Sequence, residues 1–173
     1  MSTVIGIKKG KNVWIGSDGR GTTNDGYVRP VECIKVFRNG PYLIGFIGTV
    51  RGGQILMEPF YDPPENVDDF PDDLREYLAD KGCLAIEEDH TQTQTCNFLI
   101  GFEGHLYEIL SDFHMARVDE YTAIGSGSYF AFGSLYTSER RGLKDPVKRI
   151  QLALETAAFF DISSAAPFRI HKL

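Results

Sequence analysis

The chain has 173 residues, 42% of them apolar and 12% aromatic, with 24 acidic against 18 basic side chains and a net charge of −6. That profile predicts one globular domain over residues 1–173, long enough to form a full core without disulfides or metal. The acidic balance argues against nucleic acid, since the main cationic cluster, Arg140, Arg141, Lys144, Lys148 and Arg149, reads as a solvated helix surface. No apolar run approaches the ~20 residues of a membrane span. The cysteines, Cys33, Cys83 and Cys96, are odd in number and lack metal-site spacing, and no secretory segment opens the chain, so a reducing, cytoplasmic location is expected.

Val4–Ile7 and Val13–Gly16, separated by Lys9-Gly10-Lys11-Asn12, read as a hairpin. Both runs are apolar on successive residues, which suits strands covered on both faces. Further strands are predicted over Ile34–Phe37 and Tyr42–Gly48, followed by helices over Gly53–Phe60 and Asp72–Lys81. From Glu58 to Asp73 there are seven carboxylates and no Lys or Arg, read as a solvated loop leading into the second helix. Cys96–Gly101 and His105–Leu110 form a second hairpin through Glu103-Gly104. A third helix is predicted from Ser126 to Arg141. A fourth has Asp145 as N-cap, Pro146 at its first position, and Val147, Ile150, Leu154 and Ala157 recurring on one face. Pro167–His171 completes the chain as a strand. Segregated strand and helix groups, with doubly buried strands, point to an α+β fold in four layers, an αββα sandwich.

Ser2 follows the initiator methionine, and a small residue there favours removal of Met1. The exposed residue then carries both a hydroxyl and an α-amine whose reference pKa of about 7.7–8.0 suits a general base near neutral pH. His90, His105, His114 and His171 are dispersed and have no metal-ligand spacing, and Thr49-Val50-Arg51-Gly52-Gly53 lacks the ending of a phosphate loop.

Five motifs occur in order: Ser2-Thr3-Val4-Ile5-Gly6-Ile7, Gly16-Ser17-Asp18-Gly19-Arg20, Lys35-Val36-Phe37, Ile44-Gly45-Phe46-Ile47-Gly48 and Ala123-Ile124-Gly125-Ser126-Gly127-Ser128, followed by the tail Asp161-Ile162-Ser163-Ser164. Together they resemble the proteasome β-subunit and HslV family over essentially the whole chain. The resemblance implies the N-terminal nucleophile hydrolase fold and a peptidase acting on polypeptides from inside a homo-oligomeric ring, with an ATPase unfoldase as a partner. It places Ser2 as nucleophile, Asp18 and Lys35 as a buried acid and lysine beside it, Gly45 as the oxyanion donor, and Ser126, Asp161 and Ser164 around the terminal amine. It implies a first specificity pocket of Cys33, Phe37, Leu43 and Ile47, suited to an apolar side chain. No cofactor is expected to be required, although backbone carbonyls of Ala158, Asp161 and Ser164 fall where family members often hold a cation such as Na+ or Mg2+.

These roles make chemical sense individually. A lysine ammonium lowers the pKa of a nearby amine and favours a developing oxyanion. The chain departs from the usual pattern in having serine where threonine is common. Serine keeps the reactive oxygen but lacks the methyl group that restricts χ1. A ring subunit without activity and a non-peptide amidase of the same fold therefore remain as alternatives.

Overall fold

The computed structural model describes residues 2–22, 27–57, 62–86 and 92–173, with backbone alone for 29–32. In chain order the elements are β1 (Thr3–Lys9), β2 (Asn12–Ser17), β3 (Arg20–Thr22), β4 (Val28–Glu32), β5 (Val36–Asn39), β6 (Tyr42–Gly48), α1 (Val50–Gln54), α2 (Phe70–Asp80), β7 (Leu84–Ile86), β8 (Gln92–Gln94), β9 (Cys96–Phe102), β10 (His105–Ile109), β11 (Met115–Val118), β12 (Tyr121–Gly125), α3 (Ser128–Arg140), α4 (Pro146–Phe160) and β13 (Arg169–Lys172).

Two antiparallel sheets form the centre, one ordered β12-β1-β2-β13 and the other β11-β10-β9-β6-β5. The pleat of β1 shows how sequence produces the layers, because alternate side chains leave opposite faces. Val4 enters a cluster between the sheets with Val13, Ile15, Val36, Leu43, Leu99, Leu106 and Ile124. Ile5 and Ile7 point the other way, into a cluster with Ala131 and Leu135 of α3 and Ile150, Ala153 and Leu154 of α4. On the far side, Tyr42, Ile44, Phe46, Phe98 and Ile100 pack under Phe70, Leu74 and Leu78 of α2. The αββα sandwich expected from the sequence is therefore present, with three apolar interfaces between four layers.

The signals that marked α4 act as expected. The Asp145 side chain accepts from the N–H groups of Val147 and Lys148, and Pro146 sits in the first turn. Such a cap contributes about 1 kcal/mol.

Several boundaries differ from expectation. The helix placed over Gly53–Phe60 starts earlier, at Val50, because the Thr49 hydroxyl caps it by accepting from Gly52 N–H, and it tightens into a 3₁₀ turn over Ile55–Met57. Its expected end lies outside the described residues, as does the start of the acidic segment. The later part of that segment includes a 3₁₀ turn over Val67–Asp69, and α2 begins at Phe70, two residues before Asp72. The strand placed over Ile34–Phe37 begins at Val36, leaving Ile34 exposed and Lys35 just ahead of the ladder. Among the described residues no helix is long and apolar enough to cross a membrane.

Candidate active site

Ser2 and Thr3 enter the sandwich at the start of β1, where Thr3 pairs with Gly125 of β12. The period of two that sends Val4 between the sheets puts Ser2 on the same side. Ser2 lines a cavity of about 30 Å³ with Arg20, Gly21, Thr22, Cys33, Lys35, Phe46, Ile47, Gly48 and Val50. Thr3 faces the helices, 2.6 Å from the Ser164 hydroxyl. Gly125, at φ +105, permits this close entry, because a Cβ there would lie 2.0 Å from the Ser2 carbonyl oxygen.

Asp18 is the hub on one side of the terminus. Its Oδ1 accepts from Thr3 N–H at 2.9 Å and from Lys35 Nζ at 2.8 Å. Its Oδ2 accepts from the N–H groups of Arg20 at 2.9 Å and Ala165 at 3.4 Å. Four donors thus meet the four lone-pair sites of a carboxylate that is 1% exposed. Lys35, itself buried, donates a second bond to the Arg20 carbonyl at 2.7 Å, leaving its third N–H for the cavity it lines. A charged pair this deep is compensated by hydrogen bonds on both members.

Asp161, the residue after α4, is the hub on the other side. Its Oδ2 accepts from the hydroxyls of Ser126 and Ser164, each at 2.7 Å, and its Oδ1 accepts from Ser163 N–H at 3.1 Å. A hydroxyl has one proton, so Ser164 donates to Asp161 and must accept from Thr3, and the Thr3–Ser164–Asp161 chain runs in one direction. Ser126 also lies 3.4 Å from the Ser2 carbonyl oxygen, which brings the network to the backbone of the terminal residue. The six side chains Ser2, Asp18, Lys35, Ser126, Asp161 and Ser164, drawn from five separate stretches of sequence, therefore converge around the start of β1.

Gly45 does not join them, and the expectation that its N–H serves an oxyanion is corrected by register. In β6, Phe46 N–H donates to Lys35 O on the β5 side, whereas Thr49 N–H donates to Thr95 O on the β9 side. Alternation directs the Gly45 N–H to its partner Leu99 in β9 and the Gly48 N–H to the β5 side, beyond the end of β5. Gly48 lines the Ser2 cavity. A Cβ at Gly45 would instead lie 2.8 Å from both Ile15 and Val4, so that glycine lets the two sheets approach.

The expected specificity pocket is corrected in the same way. Cys33 and Ile47 line the cavity, but Phe37 packs in the layer beneath α2 and Leu43 lies between the sheets. Phe46 and Val50 take their places, and Thr22 adds a hydroxyl to the wall.

Of the carbonyls expected around a cation, that of Asp161 accepts from Ser164 N–H at 3.0 Å within a turn. Both carboxylate oxygens of Asp161 are likewise committed to protein donors. The chemistry below uses no bound cation.

No family model matches the chain. A curated relative, the ATP-dependent protease subunit HslV of Caldicellulosiruptor saccharolyticus, is 24% identical over 160 residues, covering 91% of this chain and 89% of the relative. The chain is thus similar over nearly its whole length to an HslV subunit. Among solved structures, Thiobacillus denitrificans BPH in complex with epoxomicin superposes with a TM-score of 0.81 at 21% identity, covering 99% of this chain and 97% of that one. HslV from Trypanosoma brucei gives 0.72 at 23% identity, covering 99% and 98%. The αββα sandwich is thus shared with these structures across nearly the full length.

Proposed function

We propose that the chain is an N-terminal-serine peptidase that hydrolyses peptide bonds through an acyl-enzyme on Ser2 once Met1 has been removed. The observation that carries this reading is the single cavity lined by Ser2, Lys35 and Gly48, with the terminus held from either side by Asp18 and Asp161.

In the first step the α-amine of Ser2 takes the hydroxyl proton while Oγ bonds to the substrate carbonyl carbon. The negative charge on the carbonyl oxygen is met by the Gly48 N–H and by the Lys35 ammonium nearby. The amine then gives the proton to the leaving nitrogen as the peptide bond breaks, leaving an ester on Oγ. Water, deprotonated by the same amine, attacks that ester, and the returning proton restores the Ser2 hydroxyl as the acid product leaves. Asp18 holds Lys35 in place. The Ser126–Asp161–Ser164 network fixes the backbone that bears the amine.

The cavity walls Cys33, Phe46, Ile47 and Val50 favour an apolar residue before the scissile bond. At about 30 Å³, its volume is roughly that of one water, so a substrate side chain enters by displacing Val50, which is half exposed. The name of the curated relative, an ATP-dependent protease subunit, supports two further parts of the reading: a homo-oligomeric ring with enclosed sites, and an ATPase partner that delivers polypeptide.

Intact mass spectrometry with a peptide epoxyketone, which bonds to a hydroxyl and an α-amine on one residue, tests the core of the proposal. An adduct on a chain lacking Met1, absent in Ser2→Ala, is expected. A chain that retains Met1, or an adduct that persists in Ser2→Ala, overturns the assignment, and an unmodified mature chain favours the subunit without activity. Light scattering tests the ring, and a monomeric mass refutes it.

A further inference from the structure

The Gly48 N–H has to meet a charge that exists only while the substrate carbonyl is under attack, and a donor counts fully there only if its direction is fixed beforehand. Gly48 ends β6 at an exposed position with φ +108, in the left-handed region that only glycine enters freely. Its pairing with Cys96 is the last of the β6–β9 ladder. The direction of its N–H therefore depends on what holds the chain immediately after it.

That next residue, Thr49, is tied to the start of β9 through each of its polar groups. Its N–H donates to the Thr95 carbonyl at 3.4 Å, its hydroxyl lies 2.9 Å from the Thr95 hydroxyl, and its carbonyl accepts from the Cys96 thiol at 3.4 Å. The thiol also stands 3.5 Å from the Thr49 hydroxyl. Burial pushes the Cys96 thiol up, so at neutral pH it keeps its proton and serves as a donor. The Thr49 hydroxyl accepts from Gly52 N–H at 3.4 Å, which joins α1 to the same cluster. Packing closes it: a Cβ at Gly52 would lie 2.5 Å from the Cys96 sulfur, and one at Gly48 would lie 2.1 Å from the Thr95 carbonyl oxygen. The stretch Thr49-Val50-Arg51-Gly52-Gly53, which lacks the ending of a phosphate loop, thereby acquires a different use.

None of Thr49, Thr95 and Cys96 lines the Ser2 cavity, whereas Gly48 and Val50, on either side of Thr49, both do. The three side chains reach the cavity through the backbone they hold. We propose, on the peptidase reading given above, that Thr49, Thr95 and Cys96 form a clasp that aims the Gly48 N–H at the developing oxyanion, with Thr95 and Cys96 as positioning residues. Each bond at 3.4–3.5 Å is weak alone, but turning Gly48 about its φ breaks several together. The clasp thus preorganises the donor without touching substrate.

The test uses the processed, assembled protein and a peptide with an apolar residue before the cut bond. The same peptide as an aldehyde is the second probe, since its hemiacetal with Ser2 places an oxygen where the oxyanion forms. Thr95→Val removes a hydroxyl at an exposed position while keeping the shape, and Cys96→Ala removes the thiol. Each should lower kcat by ~10-fold, less than the ~10²–10³ that loss of a whole oxyanion donor costs, and the pair should lower it further. KM should stay within about twofold, and aldehyde affinity should fall in step with kcat. Thr95→Ser and Cys96→Ser keep a donor and should recover most of the rate. Thr95→Val should leave Tm within about 2 °C, which separates aim from unfolding. The epoxyketone adduct on Ser2 is read in parallel. Where parent and variants all form it, an unchanged kcat in the double variant overturns the clasp and leaves the nucleophile standing. A rise in KM at constant kcat, or a loss that the serine variants do not restore, also overturns it. A parent that forms no adduct removes the peptidase reading, and the clasp with it.

Discussion

Replacing Asp18 with asparagine probes the hub on which the terminus depends. The shape is retained, but one carboxylate oxygen becomes an NH₂ group that must face either Thr3 N–H and Lys35 or the N–H groups of Arg20 and Ala165. Every one of those neighbours is a donor, so either orientation opposes donor to donor. Lys35, 4% exposed, is also left as a buried charge without its counter-ion. Removing one member of such a pair costs about 3–5 kcal/mol, a large share of the ~5–15 kcal/mol that keeps a domain folded. At ~2–4 °C per kcal/mol for a chain of this size, Tm should fall by roughly 6–20 °C. Thermal unfolding by circular dichroism at fixed protein concentration reads this directly. Adding Lys35→Met should return part of the loss, because the orphaned charge is then gone, and the double-mutant cycle measures the coupling. A loss below ~1 kcal/mol in Asp18→Asn would refute the reasoning, since it would mean that Asp18 does not compensate Lys35 in the fold.

Gly45→Ala separates the two glycines of β6: its methyl meets Ile15 and Val4, so stability should drop by ~1–3 kcal/mol while kcat of the folded enzyme is preserved. A collapse of kcat with unchanged Tm would restore Gly45 as the oxyanion donor. Ser2→Thr should keep peptide cleavage and raise kcat, because the added methyl narrows χ1; a peptide assay showing Ser2→Thr inert while Ser2 is active would end that argument. Burial, with the Arg169 and Arg38 charges adding to it, holds the His171 imidazole below its usual pKa of 6.5. The unfolded chain therefore takes up that proton more readily, and the contribution of His171 to stability is complete above pH 6.5 and lost as pH falls below it. Denaturation midpoints measured across pH 5–8 should show a shallower acid loss in His171→Gln, and an identical slope would remove His171 as a cause.

Local signals made much of the fold legible. The hairpin of β1 and β2, the long apolar β6, the pair β9 and β10, and the capped α4 each carry a turn, a period or an N-cap within their own residues. The short strands were missed: β3 with β4, β7 with β8, β11 and β12 are three to five residues long and owe their pairing to distant partners. The convergence around Ser2 was legible from the order of motifs, but Thr3 and Gly48 were not picked out. Nothing in Ile44-Gly45-Phe46-Ile47-Gly48 says which glycine turns its N–H outward until β5 and β9 are known to flank the strand. The same missing register misplaced Phe37 and Leu43, which are apolar and adjacent to the right residues but lie on other faces of the pleat.

The seating of Thr3 limits what can replace the serine at the chain start. A threonine stands one position further along, yet its hydroxyl is bound to Ser164 and faces the helical layer, with Gly127 close against it. Trimming one more residue would present that threonine on the wrong side of the pleat, its hydroxyl turned away from the cavity that Ser2 lines. The point at which the chain is cut thus acts as part of the active site: a shift of a single residue exchanges inside for outside.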